Sequence, residues 1–344
     1  MFEFFGVLWF FLIFVLIAGY FVLDGFDLGI GVLSPFIAKN DGERAVLRRA
    51  IGPVWDGNEV WLLTAGGALF AAFPDAYATT FSGFYLAVML VLFGLIVRAV
   101  SFEFRAGDPA WAKLWDGCFF VGSLLPALLL GVAVGNIFAG IPMDGAGDYA
   151  GVPLLGLITP FTLLTGLLGL VMFLAAGAAW AALKAPLPSE LRDRAVRLRM
   201  PLQVIALVLF AVVSVMALAL VGTEMDPALG ALRWLFAALV VVGLAASVVV
   251  GRFQGDDLKA FLAQSAAMIA LVALLACSMF PVLVNATPDS VGPAITIFNA
   301  ASSELSLMWM TIILCIGLPL VLVYHVIVYR TFRGRVKPED LTHY

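Results

Sequence analysis

From Phe4 to Leu23 the chain carries no charged side chain, and runs of this kind recur to its far end. A stretch of about 20 apolar residues is what crosses the ~30 Å hydrocarbon core of a bilayer as a helix, because a helix satisfies its own backbone groups where no water can. Nine stretches of this kind are readable: roughly 4–24, 53–73, 78–100, 116–138, 154–182, 201–222, 232–251, 258–282 and 306–330. The expected fold is therefore an all-α polytopic membrane protein. Residues are 63% hydrophobic and only 12% charged, against about a quarter charged in soluble domains. That excludes a soluble enzyme and a disordered chain. The long unbroken runs do not resemble the roughly ten-residue alternation of a β-barrel. A net charge of −4 offers no basic surface for nucleic acid. The opening Met1-Phe2-Glu3 lacks the basic region of a cleaved signal peptide, so the first run reads as a retained span. No linker separates a soluble part, and residues 1–344 are expected to form a single integral membrane domain. The longest connections are expected near 183–200 and 283–305.

The basic residues test the count. With nine spans the loops alternate sides, and all of the 19 Lys and Arg except Arg233 then fall on one side. The positive-inside rule makes that side the cytoplasm, with the N-terminus outside and the C-terminus inside.

Several acids lie in or beside these spans. Asp24 and Asp27, spaced i, i+3, share a helical face flanked by Gly25, Gly29 and Gly31, which allow close helix approach. They either mark the cytoplasmic end of span 1 or sit buried as a functional pair. The apolar stretch 28–38 that follows them favours a helix that continues and buries them. In Gly52-Pro53-Val54-Trp55-Asp56-Gly57-Asn58-Glu59-Val60-Trp61, Pro53 suits a first helical turn with Gly52 as cap. Asp56 and Glu59 then share a face at the start of span 2. Helix-dipole stabilisation of about 0.3–1 kcal/mol explains such acids without any function. However, only residues 60–73 are apolar after them, so both must enter the bilayer, where a carboxylate can take up a proton. Arg98 closes span 3, followed by Glu103 and Arg105; it either snorkels or pairs with Asp56 or Asp27. Asp116, in Trp115-Asp116-Gly117, reads as a helix N-cap, and Glu304 as a solvated acid on the outer side.

Cys118, Cys277 and Cys315 are scattered, with no spacing for zinc or an iron–sulfur cluster. The only histidines are His325, near the end of span 9, and His343, in a polar tail. A haem held by two histidines within the bilayer is therefore not expected, while a single-His or His/Met haem stays open in a chain with 11 Met. His325 reads as a packed or interfacial side chain.

The run Gly19-Tyr20-Phe21-Val22-Leu23-Asp24-Gly25-Phe26-Asp27-Leu28-Gly29, then Trp55-Asp56-Gly57-Asn58-Glu59-Val60-Trp61-Leu62, resembles subunit II of the cytochrome bd-type quinol oxidases. So do Gly66-Gly67-Ala68-Leu69-Phe70-Ala71-Ala72-Phe73-Pro74 and Phe81-Ser82-Gly83-Phe84-Tyr85. The likeness is dense over 19–105 and weaker beyond. It implies a bacterial inner-membrane complex that oxidises quinol, reduces dioxygen to water and builds a proton gradient by vectorial chemistry. It implies two four-helix bundles (helices 1–4 over about 4–138, helices 5–8 over about 154–282) and a peripheral helix 9 over about 306–330. Haems b and d would belong to the partner subunit I, with none ligated by this chain and no metal site here. The resemblance places Asp56, beside Trp55, in a cytoplasmic proton path with Glu103 at its mouth. It gives Asp24, Asp27, Asn58, Glu59 and Arg98 structural and assembly roles. It also suggests a quinone headgroup near Trp55 and Asp56, and it leaves room for small accessory subunits. The segment between spans 6 and 7 is short, without the external insertion of some members. The competing reading is a proton-coupled secondary transporter using Asp24, Asp27 and Asp56; the lack of a clear internal repeat or matched broken helices speaks against it. A purely structural anchor, with the acids as interhelical glue, is a third.

Overall fold

The computed structural model describes residues 2–221, 227–337 and 339. His343 and residues 222–226, and with them the short connection expected between spans 6 and 7, lie outside the described residues.

Among the described residues the chain is a succession of helices: α1 (Phe2–Ile37), α2 (Asp41–Ile51), α3 (Trp55–Ala72), α4 (Pro74–Gly83), α5 (Tyr85–Gly107), α6 (Ala112–Ala139), α7 (Pro160–Lys184), α8 (Glu190–Val221), α9 (Gly230–Val249), α10 (Asp257–Met279) and α11 (Glu304–Thr331). A two-stranded antiparallel ribbon, β1 (Val282–Val284) and β2 (Ile295–Thr296), interrupts the last connection. Eight helices are long and apolar enough to cross a membrane: α1 and α5 to α11. Helix α3 has 18 residues, about 27 Å of rise, and its polar first turn dilutes its hydropathy.

Helix α1 is the central post. It packs against α3, α6, α7 and α10, while α5 lies on α6, α6 on α7, α7 on α8 and α9 on α10. The contact of α1 with α7 is backbone to backbone. A Cβ on Gly29 would stand 2.0 Å from the Phe173 carbonyl oxygen, and one on Gly177 would stand 2.6 Å from the Gly29 carbonyl carbon. Glycine permits this approach where tail-to-tail contact with lipid gives no hydrophobic drive for association. Helix α11 is peripheral: it touches α1 and α3 and buries only Leu307.

At one end of the molecule the loop after α6 joins the last connection. Ile141 N–H donates to Asn285 O (3.0 Å) and Ser302 N–H to Ala72 O (2.8 Å). The opposite end gathers the basic residues. Asp257 accepts from Arg192 (3.0 and 3.1 Å), Arg199 (2.9 Å) and Arg335 (3.0 Å), tying the starts of α8 and α10 to the tail after α11. Arg194 reaches Glu43 and the Ile37 carbonyl (2.7 Å), tying α8 to α1 and α2.

Several sequence expectations need correction. Span 1 does not stop near 24; as the apolar stretch 28–38 favoured, α1 runs on for 36 residues to Ile37, with Pro35 inside its last turn. Pro53 and Gly52 do not open a helix: Gly52 closes α2, and α3 starts at Trp55 after Val54. Helix α2 was not foreseen. It is short and charged, capped by Asn40, whose side chain accepts from Glu43 N–H. The stretch 78–100 is two helices. Pro74 starts α4, and the chain turns at Phe84 before α5. Most of the supposed loop 183–200 is the first third of α8, held by the Arg192 and Arg199 ion pairs. Asp116 is not an N-cap. It lies inside α6, where its carboxylate binds Arg48 and Arg105 (3.3 Å), with Arg44 at 3.5 Å.

Candidate functional site

The acids singled out in the sequence separate into two groups. The first is buried where α1, α3, α5 and α11 meet. Asp24 and Asp27 are both 0% exposed, one turn apart on α1, so the helix does continue past them. Arg98 of α5, itself 1% exposed, grips Asp24 with two nitrogens at 2.8 and 3.2 Å. By sequence it either snorkels or pairs with Asp56 or Asp27. The structure pairs it with Asp24 instead. Glu59 Oε1 stands 3.6 Å from Arg98, within ion-pair but beyond hydrogen-bond distance.

Asn58 links the second carboxylate to the rest. Its amide donates to Asp27 (2.7 Å) and to the Leu23 carbonyl (3.0 Å), and its oxygen accepts from the Tyr329 hydroxyl (3.1 Å). The Leu23 carbonyl and the Asp27 carboxylate, both acceptors, fix which end of the amide is its NH2. Asp27 Oδ1 has no hydrogen-bond partner. Nearby, the Trp61 indole donates to His325 Nε2 (3.1 Å), while His325 Nδ1 meets the Val321 carbonyl at 2.9 Å. Both ring nitrogens are thus engaged, and the His325 ring packs α11 onto α3. It does not fit an axial haem ligand. No group of three His, Cys, Asp or Glu suited to a metal occurs among the described residues.

The second group points away. Asp56 lies in the first turn of α3, exposed, with no hydrogen bond or ion pair to another described residue. Glu103, near the end of α5, is exposed as well. Asp56 and Glu59, expected on one face, diverge: Glu59 turns toward Arg98 and Asp56 turns out. Around Asp56 the surface of α3 is apolar, with Val60 46% and Leu63 77% exposed. Trp55 is half-buried against Phe102, ring centroids 5.6 Å apart. At the basic end the Arg105 guanidinium, bonded to Asp41 at 2.7 Å, holds that carboxyl below its usual range.

Sequence reasoning missed Tyr329 and the Asp257 hub. Tyr329 has no sequence signal, since its partner Asn58 lies 271 positions away. Asp257 had one: an acid opening a span on the side where the basic loops gather.

The family model for cytochrome bd terminal oxidase subunit II matches residues 5–332. The chain belongs to this family. It is 35% identical to the cytochrome bd ubiquinol oxidase subunit 2 of Bacillus subtilis, covering 97% of each chain. It is 33% identical to the cytochrome bd-I ubiquinol oxidase subunit 2 of Escherichia coli, over 97% of this chain and 96% of that one. A probable cytochrome oxidase subunit 2 of Haemophilus influenzae is 34% identical over the same shares. Among solved structures, bd oxidase from Geobacillus thermodenitrificans has the same fold, with a TM-score of 0.75 at 18% identity, covering 95% of this chain and 98% of that one. The chain is thus subunit II of a bd-type terminal oxidase, a respiratory oxidoreductase with a partner subunit I, in the bacterial inner membrane. The transporter reading is superseded.

Proposed function

We propose that this subunit delivers protons from the cytoplasm through Asp56, with Glu103 at the mouth, to a complex that oxidises quinol and reduces dioxygen to water. Quinol protons leave on the outer side and those consumed in water enter from inside, so a potential builds without a separate pump. The outward position of Asp56 carries the reading. An unpartnered carboxylate on an apolar membrane face is costly unless another chain covers it, so this face suits contact with subunit I. There a carboxylate that alternately binds and releases a proton feeds the partner's chemistry.

Asp24, Asp27, Asn58, Glu59 and Arg98 serve assembly in this reading: most of their polar atoms are satisfied inside the chain. Haems b and d sit on subunit I, in line with the engaged nitrogens of His325. A quinone headgroup near Trp55 and Asp56 suits the half-buried indole, and small accessory subunits fit the remaining apolar surface. As a single membrane domain, the chain crosses nine times. Helix α3 supplies the ninth crossing, since its start lies beside Arg98 and its end beside the outer connection. The bundles are α1, α3, α5, α6 and α7 to α10, with α11 peripheral, the N-terminus outside and the C-terminus in the cytoplasm.

The test is Asp56→Asn in the whole complex, which keeps the shape and removes the exchangeable proton. Haem content should be normal, haem-normalised oxygen consumption strongly reduced, the quinol KM nearly unchanged, and proton uptake slowed. Glu103→Gln should do less, because water can bypass a group at the mouth. Wild-type turnover in Asp56→Asn with intact haems would return Asp56 to a helix-end role.

A further inference from the structure

At the basic end of the molecule the C-terminal ends of α2, α7 and α11 surround a cavity of about 230 Å³. Its lining includes five cationic side chains, Arg49, Lys184, Arg333, Arg335 and Lys337, and no acidic one. We propose that this cavity binds a phosphate-bearing anion, the headgroup of an anionic phospholipid of the surrounding membrane.

Three observations support the choice. First, the cavity is built. Lys184 is only 8% exposed and is held from two sides: its ammonium donates to the Phe332 carbonyl (2.6 Å) and lies 4.9 Å from the centre of the Trp180 ring. The tail is fastened over it by Val336 N–H to the Lys184 carbonyl (2.8 Å) and by Arg335 to the carbonyls of Ala182 and Ala185 (2.8 and 2.7 Å). These bonds hold cations together that would otherwise repel. Second, three helix C-termini point here, so cations suit the site for dipole reasons. Even so, five cations exceed what carbonyl ends need, and Arg335 and Lys337 meet their acids, Asp257 and Glu339, outside the lining. Third, the depth is right. The cavity sits where the membrane-crossing helices α7 and α11 end, the level of lipid phosphates. The adjacent surface is apolar, with Ile327 of α11 58% exposed and Phe332, just past its end, 41%, which suits acyl chains. Basic pockets between membrane helices are a recurrent form of headgroup site.

The experiment uses the whole purified complex, stripped of lipid in detergent. Thermal midpoint and lipid retention in native mass spectrometry are followed as phosphatidylglycerol, zwitterionic phosphatidylethanolamine or inorganic phosphate is added. Phosphatidylglycerol should raise the midpoint saturably and remain bound, and phosphatidylethanolamine should do neither. Arg333→Gln with Lys337→Gln, both on exposed side chains, should weaken phosphatidylglycerol about thirty-fold, from about 1 kcal/mol per basic residue. Lys39→Gln with Lys113→Gln removes the same charge outside the cavity and should leave affinity within about three-fold. Equal losses in the two doubles, or no preference for phosphatidylglycerol over phosphatidylethanolamine, would overturn the proposal. A shift by inorganic phosphate matching that by lipid would overturn the lipid source and assign the cavity to a soluble phosphate.

Discussion

Among the described residues Arg98 is the only cation bonded to the buried acid cluster, and its removal should be far worse than removal of its partner. Arg98→Gln leaves Asp24, Asp27 and Glu59 inside the chain without the guanidinium that reaches Asp24 at 2.8 and 3.2 Å and Glu59 at 3.6 Å. Breaking a buried pair from one side costs about 3–5 kcal/mol, a large part of the ~5–15 kcal/mol that holds a domain folded. Asp24→Asn is asymmetric with it. The guanidinium keeps Glu59 as an ion partner, and the new amide can still accept one of its bonds, so the loss should be about 1–2 kcal/mol. The double variant Asp24→Asn/Arg98→Gln removes both charges and offers an amide pair instead. It should recover most of the Arg98→Gln loss, with a coupling of at least about 2 kcal/mol. The assay is the thermal midpoint of the purified complex, with haem-normalised yield from membranes as a second readout. The order wild type, Asp24→Asn, double, Arg98→Gln is expected. If Asp24→Asn is as severe as Arg98→Gln, or the double no better than Arg98→Gln, the ion pair is not what the cluster depends on.

Other consequences are open to direct measurement. Single cysteines at Asp144 and Asp289 should react with an impermeant thiol reagent from outside intact cells, and one at Ser189 only after the membrane is opened; labelling of Ser189 from outside would reverse the orientation. In His325→Ala the reduced-minus-oxidised spectrum should keep every haem band, because that imidazole bonds Trp61 and Val321; a missing band would place a cofactor in this chain. Gly29→Ala drives a methyl into the Phe173 carbonyl at 2.0 Å, so the complex should lose about 1–3 kcal/mol or more, read as a lower midpoint; an unchanged midpoint would show that α1 and α7 separate freely.

The helices were legible because a bilayer leaves few alternatives: length and hydropathy alone locate α9, α10 and α11 to within a few residues. The burial of Asp24 and Asp27 was legible too, from the apolar residues that follow them. What escaped was whatever depends on how helices rotate against one another. Arg98 could reach several acids by sequence, and the structure pairs it with Asp24. The outward turn of Asp56 and the inward turn of Glu59 follow from the rotation of α3 about its axis, which a polar first turn does not reveal. Asp116 looked like a cap because it opens an apolar run, yet the helix begins earlier and the side chain serves three arginines. Helix α2 carries too few apolar residues to announce itself and is defined by what it packs on, including Trp180, which donates to the Ala50 carbonyl (3.0 Å).

The bond from Tyr329 to Asn58 has a bearing on how the chain is made. Residues 24, 27, 58 and 98 emerge from the ribosome early, and their helices can associate at once. The acceptor on Asn58 nevertheless waits for residue 329, 271 positions further along the chain. Until then the amide that orients Asp27 lacks its third bond, and the first helix stays exposed on the side that α11 will cover. A chain released before α11 would carry nearly all of its membrane mass and still present an open polar seam to lipid. Such a seam distinguishes an unfinished product from a finished one for any membrane quality-control protease that senses exposed polar groups.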